Sequence, residues 1–308
     1  MKFPRSLAAQ RRTTVIGLLT APSLFLLIFF LTPLAIMIVY SFLRPGLYGG
    51  VEWTFYHSNY GRILGWADTK YEEFDPVYLW IFLRSVRLAA TTVLLSLIIC
   101  YPAAFWVSRL SERRKNLFLF LIVLPFFVSL IVRLFAWVLI LRPTGFLNQA
   151  LMGLGLIDQP LDIIYTDTAV VLGMTYIFIP FMFLPLYASV EKLNTSLLEA
   201  SQDLGATRLQ TFVRVILPLT APGILGGSII VFIPSLGNFI VPSLLGGAKV
   251  MMIGNLIEQQ FLSARNWPFG AALGMMVMTA VMGLLLYYVR LVSREDEAAV
   301  APLPETEG

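Results

Sequence analysis

Reactive side chains are scarce in this chain. Among 308 residues there is one cysteine, Cys100, and one histidine, His57. A single thiol excludes a disulfide framework within the chain and a thiolate metal site. Cys100 lies inside an apolar run, where a small core role accounts for it. His57 stands beside Phe55, Tyr56 and Tyr60 between two apolar runs, a setting that fits packing or surface exposure. Charge is sparse too, at 13% of residues. No carboxylate and no histidine lies well inside a long apolar run, yet ion-driven carriers usually rely on such groups. None of the five lysines, Lys2, Lys70, Lys115, Lys192 and Lys249, closes a G-x-x-x-x-G-K-[ST] phosphate loop, so the chain does not bind ATP in that way. No strong internal repeat and no soluble domain appear in the pattern.

What remains is apolar surface: 58% of residues are hydrophobic and the mean hydropathy is +0.80. Six runs reach the roughly 20 residues needed to cross a bilayer as a helix. They extend from about Thr14 to Leu43, Trp80 to Leu110, Leu117 to Leu141, Thr168 to Val190, Leu219 to Leu245 and Phe269 to Val289. The expected fold is therefore an all-α integral membrane domain over 1–308 with six transmembrane helices. It divides into an N-terminal anchor at 14–43, a core at about 80–290, and a polar tail at about 293–308 expected to be disordered. The first run follows Lys2, Arg5, Arg11 and Arg12 but is too long for a signal peptide and is followed by no small-residue cleavage site. It reads as a retained anchor.

The excess of positive charge, +4 overall, could point to nucleic acid. The basic residues, however, flank the apolar runs and form no stripe. Membrane lipid is the better partner. With the N-terminus in the cytoplasm, thirteen of the 22 basic residues fall on the inner side and eight on the longer outer side, with Arg133 inside a run. That asymmetry follows the positive-inside rule and predicts that both termini are cytoplasmic. Trp80 and Trp267 flank outer ends and Trp106 an inner end, at headgroup depth.

The segment Glu199 to Pro218, EASQDLGATRLQTFVRVILP, interrupts the apolar pattern on the inner side. Ser196 to Glu199 and Thr207 to Gln210 both have the S/T-x-x-E/Q spacing of a capping box, so two helix starts are predicted. Between them Gly205 sits where the first helix should stop in a left-handed turn. Leu197, Leu198, Ala200 and Leu204 give the short helix an apolar side, while Glu191, Glu199, Asp203 and Arg208 are free for ion pairs with a partner. An ordinary amphipathic connector would share this pattern.

At these residues the chain resembles the EAA loop of the membrane subunits of ABC importers, E-A-A, three residues, G, nine residues, I-x-L-P. Glu199, Ala200, Gly205, Leu217 and Pro218 match, while Ser201 replaces the second alanine and Val215 the isoleucine. The resemblance implies a type I importer permease architecture whose short cytoplasmic coupling helix, in a loop at 191–218, docks on a separate ATPase. It assigns that contact to Glu199, Ala200, Leu204, Gly205, Ala206, Leu217 and Pro218. It also implies that the chain is no enzyme and binds no cofactor, with ATP and Mg on the partner. Further expected partners are an ATP-binding subunit dimer, a second permease subunit and a periplasmic or lipid-anchored substrate-binding protein, all at the bacterial inner membrane.

Beyond the loop, Leu124 to Leu134, Thr144 to Leu156 and Leu236 to Pro268 resemble one branch of these importers, the spermidine/putrescine permeases. Permeases for opines, aminoethylphosphonate, thiamine or iron share much of those stretches. A polycation on a low-dielectric path wants carboxylates or aromatic faces. Trp106, Trp137, Tyr176 and Phe239 supply the aromatics, but mid-span acids are missing, so carboxylates are expected from the second membrane subunit. The fifth run concentrates Pro234, Gly237, Asn238 and Pro242, and Asn238 fits either a substrate path or a helix-helix hydrogen bond. Arg133 fits a gate or an anion ligand, or else snorkelling towards the outer surface. An ion-coupled secondary transporter is the rival class.

Overall fold

A computed structural model describes residues 5–66 and 74–300 of the chain. Among them the elements run α1 (Arg5–Ser41), β1 (Leu43–Pro45), β2 (Val51–Phe55), α2 (Ser58–Ile63) and α3 (Val77–Ser108). Then follow α4 (Glu112–Val123), α5 (Leu130–Leu141), α6 (Phe146–Gly153), α7 (Asp167–Glu191) and α8 (Thr195–Asp203). The remainder is α9 (Arg208–Thr211), α10 (Leu217–Leu236), α11 (Ile253–Leu262) and α12 (Trp267–Val300). The chain packs as two compact units, Met1–Asp75 with Gln259–Gly308, and Pro76–Glu258, where the apolar pattern alone predicts one domain.

In the first unit α1 packs along α12. The loop that follows α1 is more ordered than its sequence implies. Its two strands pair antiparallel, Arg44 opposite Glu52 and Pro45 opposite Val51. The buried Asn59 of α2 donates from Nδ2 to the carbonyls of Ser41 and Leu43, at 3.0 and 2.9 Å, and so ties the hairpin to the end of α1. His57 only stacks near Phe55, ring centroids 6.4 Å apart.

The second unit is built around α7. In the apolar window of α7 67% of residues are buried, against 39% for α3 and 28% for the segment containing α10, so α7 is the central helix. Met174, Met182, Phe183 and Leu186 of α7 are fully enclosed and pack in one core with Leu88 and Cys100 of α3, Leu134 of α5 and Val231 of α10. The approach of α10 depends on small residues: a Cβ on Gly223 would lie 2.4 Å from Ser189 Oγ and 2.7 Å from the Pro185 carbonyl. Small residues at such contacts are how membrane helices gain van der Waals packing where lipid supplies no hydrophobic drive.

Six described segments are long and apolar enough to cross a membrane: Gly17–Ser41, Val77–Ser108, Leu130–Gly153, Asp167–Glu191, Arg208–Leu236 and Trp267–Arg290. Four agree with the expected runs to within a few residues. The third does not. The run Leu117 to Leu141 is broken, because α4 ends at Val123 and Leu124–Phe127 form a 3₁₀ turn with Pro125 near its start. Proline lacks the N–H that would continue the ladder, and the chain leaves the helical region at Val128. The crossing segment is instead α5 with α6, separated by the turn at 142–145.

The fifth is also displaced. Leu219 to Leu245 is not one helix, since α10 stops at Leu236 with Gly237 as its cap and the chain turns at Gly237 and Asn238. The crossing segment starts earlier, at Arg208. The tail also departs from expectation, with α12 continuing to Val300. Lys2, Lys70 and residues 301–308 lie outside the described residues.

Candidate functional site

The polar loop folds as a short helix, a left-handed turn and a second helix. Of the two capping boxes, one forms. Thr207 Oγ1 accepts from the Gln210 N–H at 3.3 Å, and Gln210 Oε1 accepts from the Thr207 N–H at 2.8 Å. The other is replaced, because Asn194 takes the cap position and its Oδ1 accepts from the Ser196 N–H at 3.0 Å. Asparagine is among the strongest N-cap residues, so the helix begins two residues earlier than the Ser196 box predicts. Glu199 is thereby moved past the position from which it could cap. It is exposed, and among the described residues it makes no hydrogen bond or ion pair within the chain.

The stop is as the glycine requires. Gly205 has φ +81°, its N–H donates to Gln202 at 2.9 Å, and the Ala206 N–H donates to Ser201 at 3.0 Å. These two bonds satisfy carbonyls that the helix end would leave open. A Cβ on Gly205 would meet nothing within 4 Å, so the demand is on backbone angle alone. Leu204 and Leu209, on either side of the turn, are 89% and 72% exposed. Two such leucines beside a rigid turn leave an apolar knob in water unless a partner covers it. Ala200 is exposed as well, and Ala206 half-buried.

The knob is fastened to the bundle by side chains that the sequence pattern did not flag. Ser201 donates to the Leu198 carbonyl at 2.8 Å and shares a 2.9 Å hydrogen bond with Thr211, which links α8 to α9. The hydroxyl that distinguishes Ser201 from alanine is therefore in use. Residues 212–216 form one wide π turn, after which Leu217 and Pro218 open α10. Tyr101 of α3 shares a 2.8 Å hydrogen bond with Thr220 and meets Phe212 edge-on, ring centroids 5.6 Å apart. At the other end of the loop Glu191 is not free for a partner. Its Oε1 accepts from Tyr187 at 2.6 Å and from Lys115 Nζ at 3.2 Å, and Lys115 also reaches Glu112 at 3.1 Å. Hydrogen bonds to Glu112 and Glu191 hold the Lys115 ammonium above the ordinary lysine range.

The five residues expected along a path are not brought to one place. Trp137 and Tyr176 meet edge-on, ring centroids 5.6 Å apart, joining α5 to α7. Trp106 instead packs edge-on against Phe118, at 4.9 Å, and is 53% exposed. Asn238 lies two residues past the end of α10, not midway along a helix, and its Oδ1 accepts from the Val241 N–H at 3.0 Å. Phe239 beside it is half-exposed, and its carbonyl accepts from Asn255 Nδ2 at 2.9 Å. Asn255 also donates to Ser243 Oγ at 2.7 Å, so the polar groups here restart the chain after a break.

Arg133 points its guanidinium near the Phe126 ring, 5.9 Å from the centroid, and its buried Nε has no partner among the described residues. Arg84 and Arg87 do have one. Their Nη2 atoms hold the two carboxylate oxygens of Asp167 at 2.5 and 2.6 Å, stapling α3 to the first residue of α7. Sequence spacing could not have found that clamp, since its partners lie 80 or more positions apart. Among the described residues no group of three His, Cys, Asp or Glu side chains could hold a metal ion.

Comparison with known proteins agrees with this geometry. The chain is 42% identical over 261 residues to the spermidine/putrescine transport system permease protein PotB of Escherichia coli K12, covering 85% of this chain and 91% of that one. The protein of the same name from Haemophilus influenzae is 43% identical over 214 residues, 70% of this chain and 74% of its own. A solved bacterial alginate ABC transporter, in complex with an alginate pentasaccharide-bound periplasmic protein, shares the fold. Its TM-score is 0.67 at 16% identity, covering 90% of this chain and 93% of that one. Residues 96–294, which hold the whole loop and its fastenings, match one family. With the relatives' identity and the six crossing segments, the chain belongs to the binding-protein-dependent transport system inner membrane components.

Proposed function

We propose that this chain is the permease subunit of an ATP-driven importer that carries the polyamines spermidine and putrescine across the inner membrane. The observation that carries the proposal is the 42% identity, over 85% of the chain, to permeases named for those substrates. The exposed knob at Leu204 and Leu209 supports the energy input, since a rigid turn with unpartnered leucines fits a groove on another subunit. The chain itself is non-catalytic and binds no cofactor; ATP and Mg belong to a dimer of partner subunits. A second permease and an external binding protein complete the assembly, and both termini and the knob face the cytoplasm. Closure of the ATPase dimer pulls α8, and the movement passes through Ser201, Thr211 and Tyr101 into α10 and α3.

For the cargo, the Trp137 and Tyr176 faces offer cation-π contact worth about 0.5–2 kcal/mol, and carboxylates come from the second permease. A second solute class, one with an anionic end such as aminoethylphosphonate, is favoured by Arg133, whose Nε lacks a partner among the described residues, one helical turn from Trp137. The test is ATP hydrolysis by the reconstituted complex with its binding protein. Spermidine or putrescine should stimulate it and accumulate in vesicles. Stimulation by aminoethylphosphonate alone would transfer the assignment to the second class, and uptake that follows an ion gradient without the ATPase would sink both.

A further inference from the structure

The end of α3 and the loop helices enclose a cavity of about 700 Å³ whose lining is chemically lopsided. Arg109, Arg208 and Gln202 face it, and no carboxylate does. Neither guanidinium has a salt-bridge partner among the described residues. Arg109 lies over the Phe105 ring, 4.1 Å from the centroid, which fixes the plane of its fork and leaves the N–H edges free. Beside them the lining is apolar, with Pro102 and Phe105 of α3 and Ile216 just before α10, continuing into two crossing segments. Two cations without an anion, beside a greasy wall at the end of membrane helices, match an amphiphile with a phosphate head.

We propose that this cavity binds the headgroup phosphate of an anionic phospholipid between the two arginines, with its acyl chains along the apolar wall. The source is a lipid because the apolar lining is continuous with the spans and the exposed Trp106 stands at the same level, as aromatic side chains do at headgroup depth. Arginine forks suit phosphate through paired charge-assisted hydrogen bonds. Since Gln202 belongs to α8 and Arg208 opens α9, a bound headgroup would brace the coupling helix from behind. The proposal rests on the function proposed above only in putting this end of the bundle at the inner membrane surface.

The test uses the whole purified complex in phosphatidylcholine nanodiscs with and without phosphatidylglycerol. Retained lipid is counted by mass spectrometry, and co-purification of the ATPase subunit is followed in parallel. Wild type should retain phosphatidylglycerol in the presence of millimolar inorganic phosphate. R109Q/R208Q should retain roughly 25-fold less, from about one fivefold step per arginine, and R109K/R208K should recover most of it. Retention by the glutamine variant equal to wild type would overturn the site. So would full displacement by inorganic phosphate, which marks a free-anion site, or a cross-link to the ATPase from a photoreactive side chain introduced at position 208. Loss of ATPase co-purification in the glutamine variant with lipid retention unchanged would overturn the site and assign the two arginines to docking. ATPase co-purification kept while lipid retention falls in the glutamine variant would support the site and separate it from docking.

Discussion

The loop at 191–218 and the break at 237–255 are both interruptions of helix, and they are resolved in opposite ways. In the loop, backbone groups close on their near neighbours: Gly205 on Gln202, Ala206 on Ser201, Thr207 and Gln210 on each other. Its large apolar side chains are left facing out. At the break, side chains satisfy backbone across a distance, Asn255 reaching back 16 residues to Phe239, and Val241 and Leu245 are fully buried. The first interruption therefore presents a surface, and the second makes a packed corner. The surface still has apolar side chains to cover, Leu204 and Leu209, whereas the corner has already covered its own.

The sharpest way to break that contrast is Gly205→Val. At φ +81° a β-branched residue is strained by about 1–2 kcal/mol or more, while the space around it is open. Transport should be abolished with membrane insertion intact, read as uptake against protein abundance in the membrane fraction. Gly205→Asn, which tolerates the left-handed region, should keep most activity. Full uptake by the valine variant would mean that the turn is not the coupling element.

The loop was the part of the molecule most legible in sequence, because its turn chemistry is local. Gly205 and the Thr207 box follow from spacing alone. The Ser196 box failed through competition from Asn194, two positions earlier, and Glu199 lost its capping role with it. Non-local features were not legible: the Arg84 and Arg87 clamp on Asp167, the Ser201 to Thr211 bond, and the use of Glu191 by Lys115. Run length identified six crossing segments but misplaced the third and fifth, where Pro125 and Gly237 stop a helix inside an unbroken apolar run. The aromatic path candidates share only their residue type, and packing separates Trp106 from the Trp137 and Tyr176 pair.

At the cargo side the expected effects are smaller. Trp137→Leu keeps apolar volume but removes a cation-binding face, so half-maximal spermidine concentration in uptake should rise about twofold to thirtyfold, corresponding to about 0.5–2 kcal/mol. An unchanged value would remove this pair from the path. Smaller again is Thr207→Ala, which deletes one half of the capping box and should cost about 1 kcal/mol of local stability. Hydrogen exchange at residues 208–211 should quicken while maximal uptake is nearly kept. Protection equal to wild type there would show that α9 is held by α10 and not by its cap.

The smallest expected effect separates the fastening of the loop from its surface. Lys115 is held above its ordinary pKa by Glu112 and Glu191. A cation with a raised folded pKa contributes fully below its unfolded value, and that contribution fades only as pH rises through the folded one. Between about pH 6 and 9 the Lys115 to Glu191 link should therefore stay closed, and the ratio of solute moved to ATP hydrolysed should not vary on its account. Lys115→Met opens the link at every pH. It should lower that ratio by a constant factor while leaving ATP hydrolysis itself in place, because the exposed Leu204 and Leu209, the proposed docking contact, are untouched. If the ratio in wild type fell steadily across this window while the methionine variant stayed flat, Lys115 would be titrating there. The loop would then be fastened by a bond weaker than its geometry implies.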